Sequence, residues 1–142
     1  MVKLGAEMDE IDTPALLIDL DVMEKNIRTM AEAFRGMSAD LRPHTKTHKT
    51  PIIAHKQIAA GAIGVTCAKL GEAEVMVEAG IRSILIANQV VGEPKVTRLV
   101  NLAKHSDVIV AVDDSANVRH LAEAARRKDV KLNVLVDHGA LL

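Results

Sequence analysis

The stretch Leu41-Arg-Pro-His-Thr-Lys-Thr-His-Lys-Thr50 gathers one Arg, two Lys and two His into ten residues. It overlaps a short run, residues 39–44, that reads as a β-strand. A lysine at the mouth of a sheet, among other cations, is a candidate amine nucleophile, because cationic neighbours and partial desolvation both favour the uncharged amine. Lys46 stands at that strand-to-loop junction. The plainer alternative is a solvated basic loop. In an extended conformation His44, Lys46 and His48 fall at alternate positions and share a face. They would then be metal ligands, bases or phosphate binders, although two His without a third ligand make a weak zinc pattern.

Outward from this run the chain alternates two patterns. Short apolar or β-branched runs lie at residues 15–19, 39–44, 62–67, 83–87, 107–112 and 132–136. Between them come helical periodicities. Val22, Met23, Ile27, Met30 and Phe34 build one apolar stripe. Residues 72–79, 94–103 and 116–127 read the same way. Pro51 and Pro94 suit a first helical turn, Gly80 suits a helix C-cap, and Asp114 or Ser115 suits an N-cap. Strict alternation of strand and helix predicts a parallel sheet with helices packed outside it. Five such strands follow the opening 15–19 segment. A closed barrel needs eight strands and typically about 250 residues, so the sheet is either open or part of a barrel.

Ligands gather at the carboxyl ends of parallel strands. Polar residues converge there: His44, Lys46 and His48; Lys69 and Glu72; Asn88 and Gln89; Asp113 and Asp114; Asp137 and His138. Each has a plainer reading. Lys69 and Glu72 could be a surface ion pair. Cys67 reads as a small core residue and not a nucleophile. Asp113 and Asp114 are a carboxylate pair or a helix cap. Arg126-Arg127-Lys128 is a solvated helix end with favourable dipole placement. No G-x-G-x-x-G, Walker loop or G-x-S-x-G elbow occurs, which removes most support for dinucleotide-binding and hydrolase readings.

Composition narrows the class further. The chain has 142 residues, 49% of them hydrophobic, which suits one domain. Phe34 is its one aromatic residue, so aliphatic side chains and Met must carry the packing. A net charge of −1 provides no field for nucleic acid or an anionic membrane. No apolar run approaches the roughly 18 residues of a membrane span. The single cysteine allows no internal disulfide, and Glu7, Asp9 and Glu10 occupy the place of a leader's basic and apolar regions, so a cytoplasmic protein is expected.

Several stretches taken together resemble a known family. They are Asp12-Thr-Pro-Ala-Leu-Leu-Ile-Asp-Leu-Asp21, Asn26-Ile27, Leu41-Arg-Pro-His-Thr-Lys-Thr-His-Lys49, Gly64-Val-Thr-Cys-Ala-Lys-Leu-Gly-Glu-Ala73 and Ile84-Leu-Ile-Ala-Asn-Gln-Val-Val-Gly92. They resemble the alanine racemase-like N-terminal barrel domain of fold-type III pyridoxal phosphate enzymes, within the D-threonine aldolase and D-serine dehydratase group. The likeness runs over about residues 10–136. It implies a partial (β/α)8 barrel of about five parallel strands. It implies that Lys46 is the catalytic residue, holding pyridoxal 5'-phosphate through its amine and later moving a proton. His44 and Arg42 match positions around that lysine, and Lys69 and Glu72 match strand-end positions near the cofactor. The 15–19 strand matches a segment that leaves the barrel for a second, β-rich domain.

The activity so implied is lysis of a β-hydroxy-D-amino acid, by retro-aldol cleavage to glycine and an aldehyde. Dehydration of D-serine to pyruvate and ammonia is the alternative within the group. A non-catalytic pyridoxal phosphate-binding protein and an amino-acid racemase stay open outside it, the racemase disfavoured by the run around Lys46. Relatives use a divalent metal whose ligands lie in the C-terminal domain, none in this chain, and are often homodimers. The partner is a small D-amino acid, with no nucleic acid and no membrane. The tail Val136-Asp-His-Gly-Ala-Leu-Leu142 departs from the family pattern. Residues 1–142 are therefore expected to be the N-terminal part of the barrel, without the phosphate cup or the β-domain, weak or inactive alone, and with an exposed sheet edge prone to association.

Overall fold

The computed structural model describes residues 3–138. Four parallel strands, β1 (Val65–Cys67), β2 (Ser83–Gln89), β3 (Asp107–Val112) and β4 (Asn133–Val136), form one sheet in the order β1-β2-β3-β4. Five α-helices accompany them: α1 (Leu20–Phe34), α2 (Pro51–Ala59), α3 (Leu70–Glu78), α4 (Glu93–Leu102) and α5 (Ser115–Arg127). Short 3-10 turns lie at Met8–Glu10 and Thr45–Thr47.

Alternation along the strands divides the sheet into two faces. Val65, Cys67, Ile84, Ile86, Val108, Val110 and Val112 are buried and join one core. That core takes Ala54 from α2, Met76 from α3, Leu99 from α4 and Leu121 from α5. The helices therefore cover one face. Crossovers between neighbouring parallel strands are right-handed, so a sheet whose strands follow in chain order winds its helices to a single side. An open doubly wound sheet carries helices on both sides, whereas this arrangement is a barrel sector. Its inner face presents Thr66, Leu85, Ile109 and Ala111, with Leu85 and Ile109 half-buried.

The helix ends follow the sequence signals. Asp114 is the N-cap of α5, its carboxylate accepting from the Asn117 amide at 2.7 Å. Pro51 and Pro94 sit in first turns. After α3, Gly80 takes φ +90, and the amides of Gly80 and Ile81 donate to Val77 O and Met76 O at 2.9 and 3.0 Å. That paired closure needs a left-handed residue, which glycine adopts without steric penalty.

The strand expectations need correction in two places. Residues 15–19 are not a strand: they form no ladder with the sheet, and Leu16, Leu17 and Ile18 are exposed. An apolar run becomes a strand only when a neighbour takes its backbone groups, and none of the described residues does so here. Residues 39–44 contribute a single bridge, His44 to Thr66. The segment still runs along β1, with Ile63 N donating to Leu41 O at 3.0 Å and Thr66 N to Pro43 O at 2.8 Å. Pro43 has no N–H to give back, so the ladder cannot be continuous. The α1 stripe is also less buried than its periodicity suggests: no α1 residue is buried, and Val22 and Met30 are exposed. Residues 139–142 of the tail lie outside the described residues.

Candidate active site

The run around Lys46 is folded as a turn and not as an extended strand end. His44 is the N-cap of the 3-10 turn Thr45–Thr47, and its Nδ1 accepts the Lys46 amide at 3.2 Å. The neutral His44 ring therefore carries its proton on Nε2. Because the chain turns at Thr45, His44, Lys46 and His48 do not share the face that an extended run would give them. Lys46 is exposed, and its side chain has no hydrogen bond or ion pair among the described residues.

The residues beside it are tightly held. Thr45 is buried, its hydroxyl donating to Thr66 O at 3.1 Å and lying 3.5 Å from Cys67 Sγ. Cys67 is buried, and burial pushes its thiol up from the ordinary value, in keeping with a core role. His48 accepts the Thr50 amide on Nδ1 at 3.0 Å, while its Nε2 is buried and the ring's side-chain neighbour is Gln57. Burial holds the His48 imidazole below its usual value. Lys49 closes the turn with φ +49, a left-handed conformation uncommon outside glycine.

The other expected site residues are placed as follows. Glu72 is half-buried; one oxygen accepts the Ala68 amide at 2.8 Å and the other lies 3.8 Å from Lys49 Nζ. Glu72 thus ties the β1–α3 junction to the Lys46 turn, pairing with Lys49 and not with Lys69. Lys69 is exposed at the N-cap of α3 and borders a cavity of about 370 Å3 shared with Asn88, Gln89, Lys95 and Arg98. Arg42 extends to Ser83, the first residue of β2, with Nη1 donating to Oγ at 3.1 Å. Its guanidinium is thereby directed to the amino end of β2, away from the carboxyl edge that carries Lys46. Gly64, at φ +151, makes room for it: a Cβ there would collide with Arg42 Nη1 and with the Ser83 carbonyl. Further along the edge, Gln89 Nε2 donates to Asp113 at 3.0 Å and Asn88 closes on the Gln89 amide at 2.9 Å. Among the described residues no three His, Cys, Asp or Glu side chains are grouped to hold a metal ion.

Sequence reasoning missed Thr45, Lys49 and the Gly64–Ser83 passage for Arg42. Lys49 and Gly64 carried a faint signal as the second lysine of the run and a glycine before a buried strand. Thr45 carried none, lying between two polar neighbours.

The chain aligns with D-threonine aldolase of Arthrobacter sp at 39% identity over 133 residues, 94% of this chain and 35% of that protein. The structure superposes on that of D-threonine aldolase from Filomicrobium marinum with a TM-score of 0.88 and 48% identity, covering 91% of this chain and 35% of the other. D-threo-3-hydroxyaspartate dehydratase from Delftia sp. HT23 gives a TM-score of 0.80 and 35% identity, over 89% of this chain and 33% of that one. The chain thus spans about a third of the length of these relatives. The family model for the alanine racemase N-terminal domain matches residues 18–139. That match takes in α1, the Lys46 turn and the whole sheet, and the chain belongs to the family of the alanine racemase N-terminal domain.

Proposed function

We propose that this chain supplies the lysine-bearing part of a pyridoxal phosphate-dependent lyase that cleaves β-hydroxy-D-amino acids in the manner of a D-threonine aldolase. The observation that carries the reading is Lys46, exposed and without a side-chain partner among the described residues, on a fixed turn at the carboxyl edge of a barrel sector that overlays a D-threonine aldolase at TM-score 0.88. The donor set suits the cofactor's aldehyde, because Lys46 is a lysine amine with no acidic partner among the described residues. Bound pyridoxal phosphate would serve as an electron sink for the substrate α-carbon. Lys46 Nζ would hold the cofactor, and its amine would carry a proton within the site. His44 fixes the backbone of Lys46 through Nδ1, which leaves Nε2 as the neutral ring's donor. Overall, the substrate Cα–Cβ bond breaks, the β-hydroxyl loses its proton to become an aldehyde, and the α-carbon gains one to leave as glycine.

The dehydratase likeness supports a second reading, in which the α-proton is removed and the β-hydroxyl leaves. A homodimer and a small D-amino acid as partner follow the family resemblance, and a cytoplasmic location follows the single cysteine, Cys67. No helix among the described residues is long and apolar enough to cross a membrane.

The test is borohydride trapping with pyridoxal phosphate, followed by peptide mapping. Label is expected on Lys46 and lost in Lys46→Ala. Label spread over surface lysines would sink the proposal. Product analysis separates the two chemistries: glycine from D-threonine supports cleavage, and pyruvate from D-serine supports dehydration.

A further inference from the structure

Thr45 is the polar residue most completely withdrawn from solvent, with 0% of its surface exposed. Its hydroxyl reaches β1 at Thr66 O (3.1 Å) and Cys67 Sγ (3.5 Å). Its carbonyl accepts both the His48 amide at 3.2 Å and the Lys49 amide at 2.7 Å. One residue therefore fastens the turn to the sheet and closes the turn on itself. Lys46 is the next residue, and its amide is held from the other side by His44 Nδ1. Beyond its Cβ the lysine chain is free, so the point its amine can reach depends on where this turn is held.

We infer that Thr45 is the positioning residue of the site, its buried hydroxyl locking the turn to β1 so that the Lys46 amine meets a carbonyl carbon at one fixed place. This rests on the reading of Lys46 as the cofactor lysine. Valine at position 45 keeps the shape and burial but removes the donor, so the turn loses its tie to Thr66 O. Serine keeps the donor. Small displacements of a reacting group weaken a reaction steeply.

The experiment compares the full chain as wild type, Thr45→Val and Thr45→Ser. Each is titrated with pyridoxal phosphate, trapped with borohydride and mapped at Lys46, at a temperature where circular dichroism shows equal folding. Val100→Ala, a core change in α4, controls for lost stability alone. Thr45→Val is expected to need about tenfold more pyridoxal phosphate for half-maximal labelling. Thr45→Ser should stay within about twofold of wild type, and Val100→Ala should match it. Wild-type labelling in folded Thr45→Val overturns the inference, as does serine behaving like valine. If Thr45→Val does not fold, Thr45→Ser decides: labelling within about twofold supports the role and a tenfold loss overturns it. Absence of label from Lys46 in the wild type removes the functional reading, and this inference with it. Label present in the wild type and unchanged in Thr45→Val removes this inference alone.

Discussion

His48 lies two residues beyond Lys46, with Nδ1 taken by the Thr50 amide and Nε2 buried. Burial disfavours its charged form, so the folded chain takes up that proton only below the ordinary value of 6.5, where the unfolded chain takes it up. As pH falls through 6.5 the unfolded state binds more protons than the folded one, and stability is lost; above 6.5 this contribution is fully present. Denaturant melts between about pH 7.5 and about pH 5.5 should show a midpoint that drops on acidification, and His48→Asn should flatten the drop. An unchanged slope in that variant would place the effect elsewhere. As the proposed cofactor lysine, Lys46 is read from its cationic neighbours and the family resemblance. Its support was not legible, because Thr45 finds its partners 21 and 22 residues away, and no local pattern encodes a contact across two elements.

At the scale of elements, local chemistry and periodicity carried most of the information. The cap of α5 was readable as Asp114 or Ser115, and Asp114 fills it. Asp114→Ala should cost about 1 kcal/mol, read as a lower thermal or urea midpoint with the fold kept. Strands β2 and β3 were legible because each carries a dense aliphatic run, Ile84-Leu-Ile86 in β2 and Val108-Ile-Val110 in β3. The 15–19 run has the same look and no ladder, since a strand depends on a neighbour that its own residues do not specify. Neighbouring helices are also tied at their surfaces: Lys56 of α2 donates to Glu24 of α1 at 2.6 Å, and Glu93 of α4 meets His120 and Arg127 of α5 at 2.7 and 3.3 Å. The hydrogen bond from Lys56 holds the Glu24 carboxyl below its usual value, and that from His120 does the same for Glu93. These exposed pairs add little stability but favour one registry of helix on helix.

At the scale of the whole molecule, the barrel sector presents Lys46 together with a sheet edge that ends in polar side chains, while spanning 35% of the aldolases it overlays. Under the proposed function, labelling of Lys46 and release of product are two separate readouts. The 142 residues alone are expected to take label on Lys46 while releasing little or no glycine from D-threonine. Ordinary aldolase turnover by the isolated chain would contradict this.

Strand order equal to chain order also bears on synthesis. Each strand pairs with the one made just before it, so every new strand–helix unit meets a surface already in place. A ribosome adding roughly 5–20 residues per second would release such a unit every few seconds, in time to cover the apolar side of its predecessor. The nascent chain is thus able to build its sheet as it emerges, one rung at a time, without holding open a gap for a distant segment.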